Sequence, residues 1–199
     1  MPAIATPAPV PHRRPNPHRW TVAEFHRLCG LGLFAGQRPI LLNGVILEQG
    51  PMDAPHGNGV ERTDAAVRDA FGRGWRFRVQ LPLVLGLHTD PMPDIAVVGG
   101  SLVGTPDHPT TAALVVEVSD TTLDTDVTEK AELYATAGIA DYWVLDLEGR
   151  RLLVFRDPVA LPAGLGATAY RTRRTFLPTD SVTPLAAPNA TVRVANLFP

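Results

Sequence analysis

The segment Leu114-Val115-Val116-Glu117-Val118 is apolar at every position but one. Successive side chains of a strand point to opposite faces, so a run apolar on both faces is expected of a central strand that is covered above and below. Ile95-Ala96-Val97-Val98 is a second short strand, and residues 142–146 and 151–156 read as a hairpin turning at Glu148-Gly149. Between Val118 and Tyr142, the positions Val127, Ala131, Tyr134 and Ala135 recur at helical spacing, with Gly138 placed to follow the last turn. The expected class is α/β (α+β), a mixed central sheet flanked by helices.

The rest of the chain is compatible with one domain around that sheet. Its 199 residues, 45% of them hydrophobic, suffice for one full core. Residues 1–18 carry Pro2, Pro7, Pro9, Pro11, Pro15 and Pro17, whose fixed φ and missing amides block helix and sheet, so a disordered arm is expected before a domain over 19–199. Thr21 followed by Glu24 forms a capping box ahead of a helix over about 21–29, with Val22, Phe25, Leu28 and Cys29 on one face. Asn43-Gly44 between two apolar runs marks a hairpin with a tight turn. A second helix is expected over about 58–71, with Val60, Ala65, Ala66, Val67, Ala70 and Phe71 inward. Residues 75–85 form one strand or a pair. A loop over 158–168 leads to a strand near 169–176 and a terminal segment around 191–197.

Several function classes are disfavoured. The formal net charge of −2 argues mildly against bulk electrostatic binding of nucleic acid, although a local basic groove remains open. Cys29 is the only cysteine, which excludes an internal disulfide and thiolate metal clusters and fits a reducing cytoplasm. The six histidines are scattered without the paired spacing of a zinc site. No apolar run approaches the roughly 20 residues needed to span a bilayer, and no charged-then-apolar leader opens the chain.

Two acids stand where core strands favour apolar residues: Asp94 opens the strand Ile95–Val98, and Glu117 interrupts Leu114–Val118. A buried carboxylate costs several kcal/mol unless it is paired or bound to a cation. Hard oxygen ligands suit Mg²⁺ or Mn²⁺. Lys130 is the only lysine, against 17 arginines, and follows Asp126 by one helical turn. Two accounts of it stay open at this point. It forms a plain i, i+4 ion pair, or its ammonium turns toward a metal to orient an attacking water. Glu117 paired with Lys130 as a structural carboxylate is a third reading of the same residues. Arg171, Arg173 and Arg174, like Arg76 and Arg78, alternate on strands as a phosphate groove would, or as solvated strand faces do.

The segments Met92-Pro93-Asp94-Ile95-Ala96-Val97-Val98, Leu114 to Ser119, Asp126 to Lys130, and Tyr134-Ala135-Thr136-Ala137-Gly138 through Asp141-Tyr142-Trp143-Val144-Leu145-Asp146 resemble the Uma2 family of restriction-endonuclease-like proteins. Trp20 to Phe25, the Asn43-Gly44 hairpin, Gln80-Leu81-Pro82 and Val194 to Phe198 extend the resemblance over roughly 180 residues, the arm excluded. It implies a PD-(D/E)XK nuclease fold of the restriction endonuclease-like type, with Asp94 and Glu117 as metal ligands and Lys130 as the catalytic lysine. The position two after Glu117, often lysine in the wider superfamily, is Ser119 here, and the resemblance places the lysine on the following helix instead. It further matches Glu48 and His56 to an acid and a histidine of the site, and Gln80 to a position near it. The function so implied is metal-dependent hydrolysis of a nucleic-acid backbone, DNA first and RNA second. A nuclease-like module that binds or regulates without cutting is the alternative. Edge strands together with the apolar residues Trp143, Phe155 and Phe176 are expected to allow a homodimer.

Overall fold

The structure, a computed structural model, describes residues 16–100, 107–161 and 168–199. The expected arm therefore lies outside the described residues up to position 15, as do parts of the loops around 101–106 and 162–167.

The first element of the described residues is helix α1 (Val22–Gly30), capped as its sequence requires: Thr21 Oγ1 accepts from the Glu24 amide, and the Glu24 carboxylate accepts from the Thr21 amide. Strands β1 (Pro39–Leu42) and β2 (Val45–Glu48) form an antiparallel hairpin. Asn43 and Gly44, with φ of +49° and +81°, supply the two left-handed positions of its turn. Helix α2 (Ala54–Phe71) starts four residues earlier than its apolar periodicity predicts, because Asp53 caps it by accepting from the His56 amide and Pro55 fits the first turn. Its inward face holds Gly59, Val60, Thr63, Val67 and Phe71, whereas Ala65, expected inside, is exposed.

The central sheet has six strands in the order β3-β4-β5-β6-β7-β8. They are β3 (Trp75–Val79), β4 (Ile95–Gly99), β5 (Leu114–Ser119), β6 (Asp141–Asp146), β7 (Arg151–Ala160) and β8 (Thr168–Phe176). Only β5 and β6 run parallel; the other neighbours are antiparallel, which makes the sheet mixed. The crossover between the parallel pair carries α3 (Leu123–Val127) and α4 (Glu129–Thr136), where the spacing of Val127, Ala131, Tyr134 and Ala135 predicts a single helix. The break is at Thr128, whose ψ of −83° leaves the helical range. β3 stops at Val79 because Gln80 adopts a φ of +49°. β7 instead runs past the expected strand end at 156 to Ala160.

Every residue of β5 and β6 is buried, as the doubly apolar pattern requires. One sheet face carries Ile95, Val97, Leu114, Val116 and Val118 against α2. It also meets the terminal segment, strand β10 (Val192–Arg193) with a closing 3-10 turn (Val194–Leu197), and β10 itself pairs with β9 (Ser181–Val182). The other face carries Ala96, Val98, Val115 and Val144 against Ala131 and Tyr134 of α4. Trp143 and Phe155 are buried in these cores and Phe176 is partly buried against one of them, which leaves the edge strands β3 and β8 as the part of the homodimer expectation still exposed. No helix among the described residues is long and apolar enough to cross a membrane.

Candidate active site

The register of β4 against β5 pairs Ile95 with Val116 and Ala96 with Val115. Continued by one residue, it sets Asp94 opposite Glu117. The alternation of faces then turns both carboxyls to the α4 side, since Ala96 and Val115 pack there. Asp94 Oδ2 accepts a hydrogen bond from the backbone N–H of Val118 at 2.8 Å, which ties the first acid to the residue beside the second.

Each acid has its own partners. Asp94 Oδ1 lies 3.1 Å from His56 Nε2 and 3.1 Å from Gln80 Nε2. The ionised carboxylate can only accept, so the His56 proton is on Nε2. Burial alone would raise the Asp94 pKa, but the hydrogen bond and charge of His56, the Val118 amide and Gln80 outweigh it and hold Asp94 below the ordinary carboxylate range. The same hydrogen bond holds His56 above its ordinary value against its own desolvation. Glu117 Oε1 accepts from the Tyr134 hydroxyl at 2.7 Å, and Oε2 lies 3.0 Å from Lys130 Nζ. Burial pushes the Glu117 carboxyl up to about 7; Lys130 opposes the rise, while Asp94 and Asp126 add to it.

Lys130 sits between two acids, 2.8 Å from Asp126 Oδ1 as well. Burial alone would lower its pKa, yet Glu117 and Asp126 together hold it above the ordinary lysine value. The ammonium is therefore fixed as a cation. The i, i+4 pairing with Asp126 survives the break at Thr128, and Thr122 Oγ1 donates to the other oxygen of Asp126 at 2.7 Å. The Glu117–Lys130 contact is also what a purely structural pairing would produce. What sets this pair apart is a shared cavity of about 350 Å³, lined by Asp94, Glu117, Lys130, His56, Gln80 and Glu48 among others.

Every residue expected at the site thus lines one cavity. Glu48 stands exposed at its rim, at the end of β2. Sequence reasoning placed Tyr134 only as an inward helix residue; its position four after Lys130 puts both on one face, and a buried tyrosine hydroxyl needs a partner. It gave no role to Arg38, Asp53 or Asp120, which also line the cavity. Asp53 and Asp120 meet at the mouth, and the hydrogen bond between them holds Asp120 above its ordinary pKa. Arg76 and Arg78 lie on β3 and Arg171, Arg173 and Arg174 on β8, at opposite edges of the sheet, so they form no common groove.

Among the described residues, no three His, Cys, Asp or Glu side chains come together as a ready metal cage. The donor set nonetheless suits a hard divalent ion that retains water, for which one or two carboxylates are enough. Glu117 uses one acceptor site on each oxygen and Asp94 Oδ2 only one, so both carboxylates keep free lone pairs.

A six-stranded mixed sheet between helices, with two acids facing across adjacent central strands and a lysine on the following helix, has the restriction endonuclease-like architecture. A model of the Uma2 family, described as "Putative restriction endonuclease", matches residues 22–195, and the chain belongs to that family. A similar solved structure is that of "a putative nuclease belonging to DUF820" from Anabaena variabilis ATCC 29413. It has a TM-score of 0.60 and 16% identity, covering 80% of this chain and 89% of the other. No curated protein matches the chain.

Proposed function

We propose that the protein is an endonuclease that hydrolyses phosphodiester bonds of DNA with Mg²⁺ or Mn²⁺ bound at Asp94 and Glu117. The observation that carries this reading is the meeting of Asp94, Glu117 and Lys130 in one cavity, each oriented by a buried or half-buried partner. Family membership supports the same reaction class. A divalent cation bound there would polarise the scissile phosphate and make water a stronger nucleophile at neutral pH.

The protein's own groups divide the remaining work. His56 and Gln80 hold the Asp94 carboxylate in place and ionised. Tyr134 orients Glu117 through its hydroxyl hydrogen bond, although burial keeps that carboxyl easier to protonate than Asp94. Asp126, braced by Thr122, keeps Lys130 charged and directed at the cavity. There its ammonium orients the attacking water and offsets the negative charge that gathers on phosphate as the new P–O bond forms and the old one breaks. Glu48 at the rim is placed to meet substrate or a solvated cation. Cutting both strands takes two copies of the chain or two successive encounters, and light scattering with and without DNA distinguishes them.

The test is nicking and linearisation of supercoiled plasmid with Mg²⁺ or Mn²⁺. Wild-type protein is expected to cut only when a divalent cation is present. Asp94→Ala and Lys130→Ala are expected to lose at least a hundredfold in rate, the scale of removing one preorganised electrostatic group. Folded wild-type protein that binds DNA without cutting it, or RNA, under any divalent condition would turn the assignment to a binding module.

A further inference from the structure

Three basic side chains line the cavity: Arg38, His56 and Lys130. Lys130 is committed to Glu117 and Asp126, and His56 to Asp94. Among the described residues, Arg38 pairs with no acid. Its one side-chain hydrogen bond to a described residue runs from Nη2 to Oε1 of a neutral amide, Gln80, at 3.1 Å. A guanidinium offers five N–H donors in a planar fork that matches a phosphate or carboxylate. Among the described residues, that bond uses one of the five donors of a side chain that lines the cavity.

Gln80 fixes where that fork stands. Its φ of +49° lies in the left-handed region, which residues bearing a Cβ seldom occupy and keep only where the surroundings impose it. Here the Gln80 backbone N–H donates to the carbonyls of Pro93 and Asp94 at 3.2 and 3.1 Å. The side chain donates through Nε2 to Asp94 Oδ1 at 3.1 Å. Because the Asp94 carboxylate can only accept, the amide nitrogen faces inward and the amide oxygen faces Arg38. From the other side, the Arg38 carbonyl accepts from the Gln49 N–H at 3.0 Å, which closes the open end of the β1–β2 hairpin. Arg38 is therefore held one amide away from Asp94 by contacts at both ends.

From this geometry we infer that Arg38 is a phosphate-binding residue of the substrate site. It grips non-bridging oxygens of the nucleic-acid backbone beside the carboxylates, with Gln80 as its positioning residue. The inference rests on the nuclease reading and deepens it. The cavity supplies its own reason: Glu48, Asp53, Asp120 and Glu129 line it together with Asp94 and Glu117. A polyanion entering so acidic a recess needs a cation that the acids have not already neutralised.

The experiment is steady-state cleavage of a labelled DNA duplex in Mg²⁺ by wild type, Arg38→Ala and Arg38→Lys, repeated across about 50 to 200 mM salt, with the melting temperature of each protein recorded. Arg38→Ala is expected to raise KM about tenfold, more than it lowers kcat, and to make the dependence of log(1/KM) on log salt shallower by about 1, the loss of one phosphate contact. Arg38→Lys keeps the stem and the charge but not the fork. It is expected to remain folded even where the alanine variant does not, and to show a smaller rise in KM. A wild-type KM and salt slope in a folded Arg38→Lys or Arg38→Ala enzyme, or a fall in kcat alone, overturns the inference while leaving the nuclease assignment intact. Wild-type protein inert on DNA and RNA overturns both.

Discussion

At the scale of single residues, Glu117 is the site carboxyl whose protonation the fold moves into the neutral range. Its carboxyl, with an ordinary value of 4.5, is pushed up to about 7 by burial. Between those values the folded protein holds a proton that the unfolded chain has released, so stability falls as pH rises through the window. The stabilisation is fully present below 4.5 and lost above about 7. At one pKa unit per 1.36 kcal/mol, its ceiling is on the order of 3 kcal/mol. A divalent cation at the carboxylate removes the penalty of the charged form. The metal-free protein is therefore expected to melt at lower temperature at pH 8 than at pH 5, and millimolar Mg²⁺ to raise the melting temperature more at pH 8. Glu117→Gln should flatten both trends in a fluorimetric melting series; an equal Mg²⁺ shift at both pH values would contradict the role of Glu117 as a ligand. The two acids were legible in the sequence because a carboxylate in an apolar strand is conspicuous. Lys130 was legible by spacing, and His56 and Gln80 through the family resemblance; the Val118 amide on Asp94 and Arg38 on Gln80 were not, because they depend on sheet register and a left-handed backbone that no local pattern announces.

At the scale of elements, the site depends on how closely α2 approaches β5. His56 lies in the first turn of α2, and Gly59, one turn on, faces the sheet. A Cβ at Gly59 would stand 2.9 Å from Val118 Cγ1 and 3.2 Å from Leu147 Cδ2, so there is no room for it unless the helix or strand moves. Gly59→Ala would gain about 1 kcal/mol of helix propensity. Overpacking costs about 1–3 kcal/mol, and Val118 is β-branched, buried and unable to turn aside. A net loss of about 1 kcal/mol in urea denaturation is expected. Displacement of His56 from Asp94 should also reduce plasmid cleavage more than that stability loss explains. Strands and helices were mostly readable because their apolar periods are strong. The boundaries that differed have local physical causes: Asp53 and Pro55 open α2 before its apolar pattern begins, and Thr128 divides a helix whose apolar face is continuous across the break. Ala65 was assigned inward by composition, where the helical angle put Thr63 instead.

For the whole molecule, the sheet accounts for only part of the enclosure around the site. Its α2 face is closed from beneath by the end of the chain: Val192, Val194, Leu197 and Phe198 are each 3% exposed or less and belong to the same core as Val60, Val67, Val116 and Val118. The sequence showed a terminal apolar segment but could not show that it returns under the strand carrying Glu117, since that contact joins segments far apart in the chain. Removing residues 191–199 would expose the apolar undersides of α2 and β5 together. Each large buried side chain lost from a core costs about 2–5 kcal/mol, and four of them approach or exceed the roughly 5–15 kcal/mol by which a domain of this kind is stable. The truncated chain is expected to lose cooperative thermal unfolding and near-ultraviolet dichroism. A milder variant, Leu197→Ala, should stay folded with a loss of about 2–4 kcal/mol. If the truncated protein melted cooperatively at the wild-type temperature, the core would have to be complete without its terminal segment. The position of α2, and with it the His56–Asp94 contact, would then be set by the sheet alone.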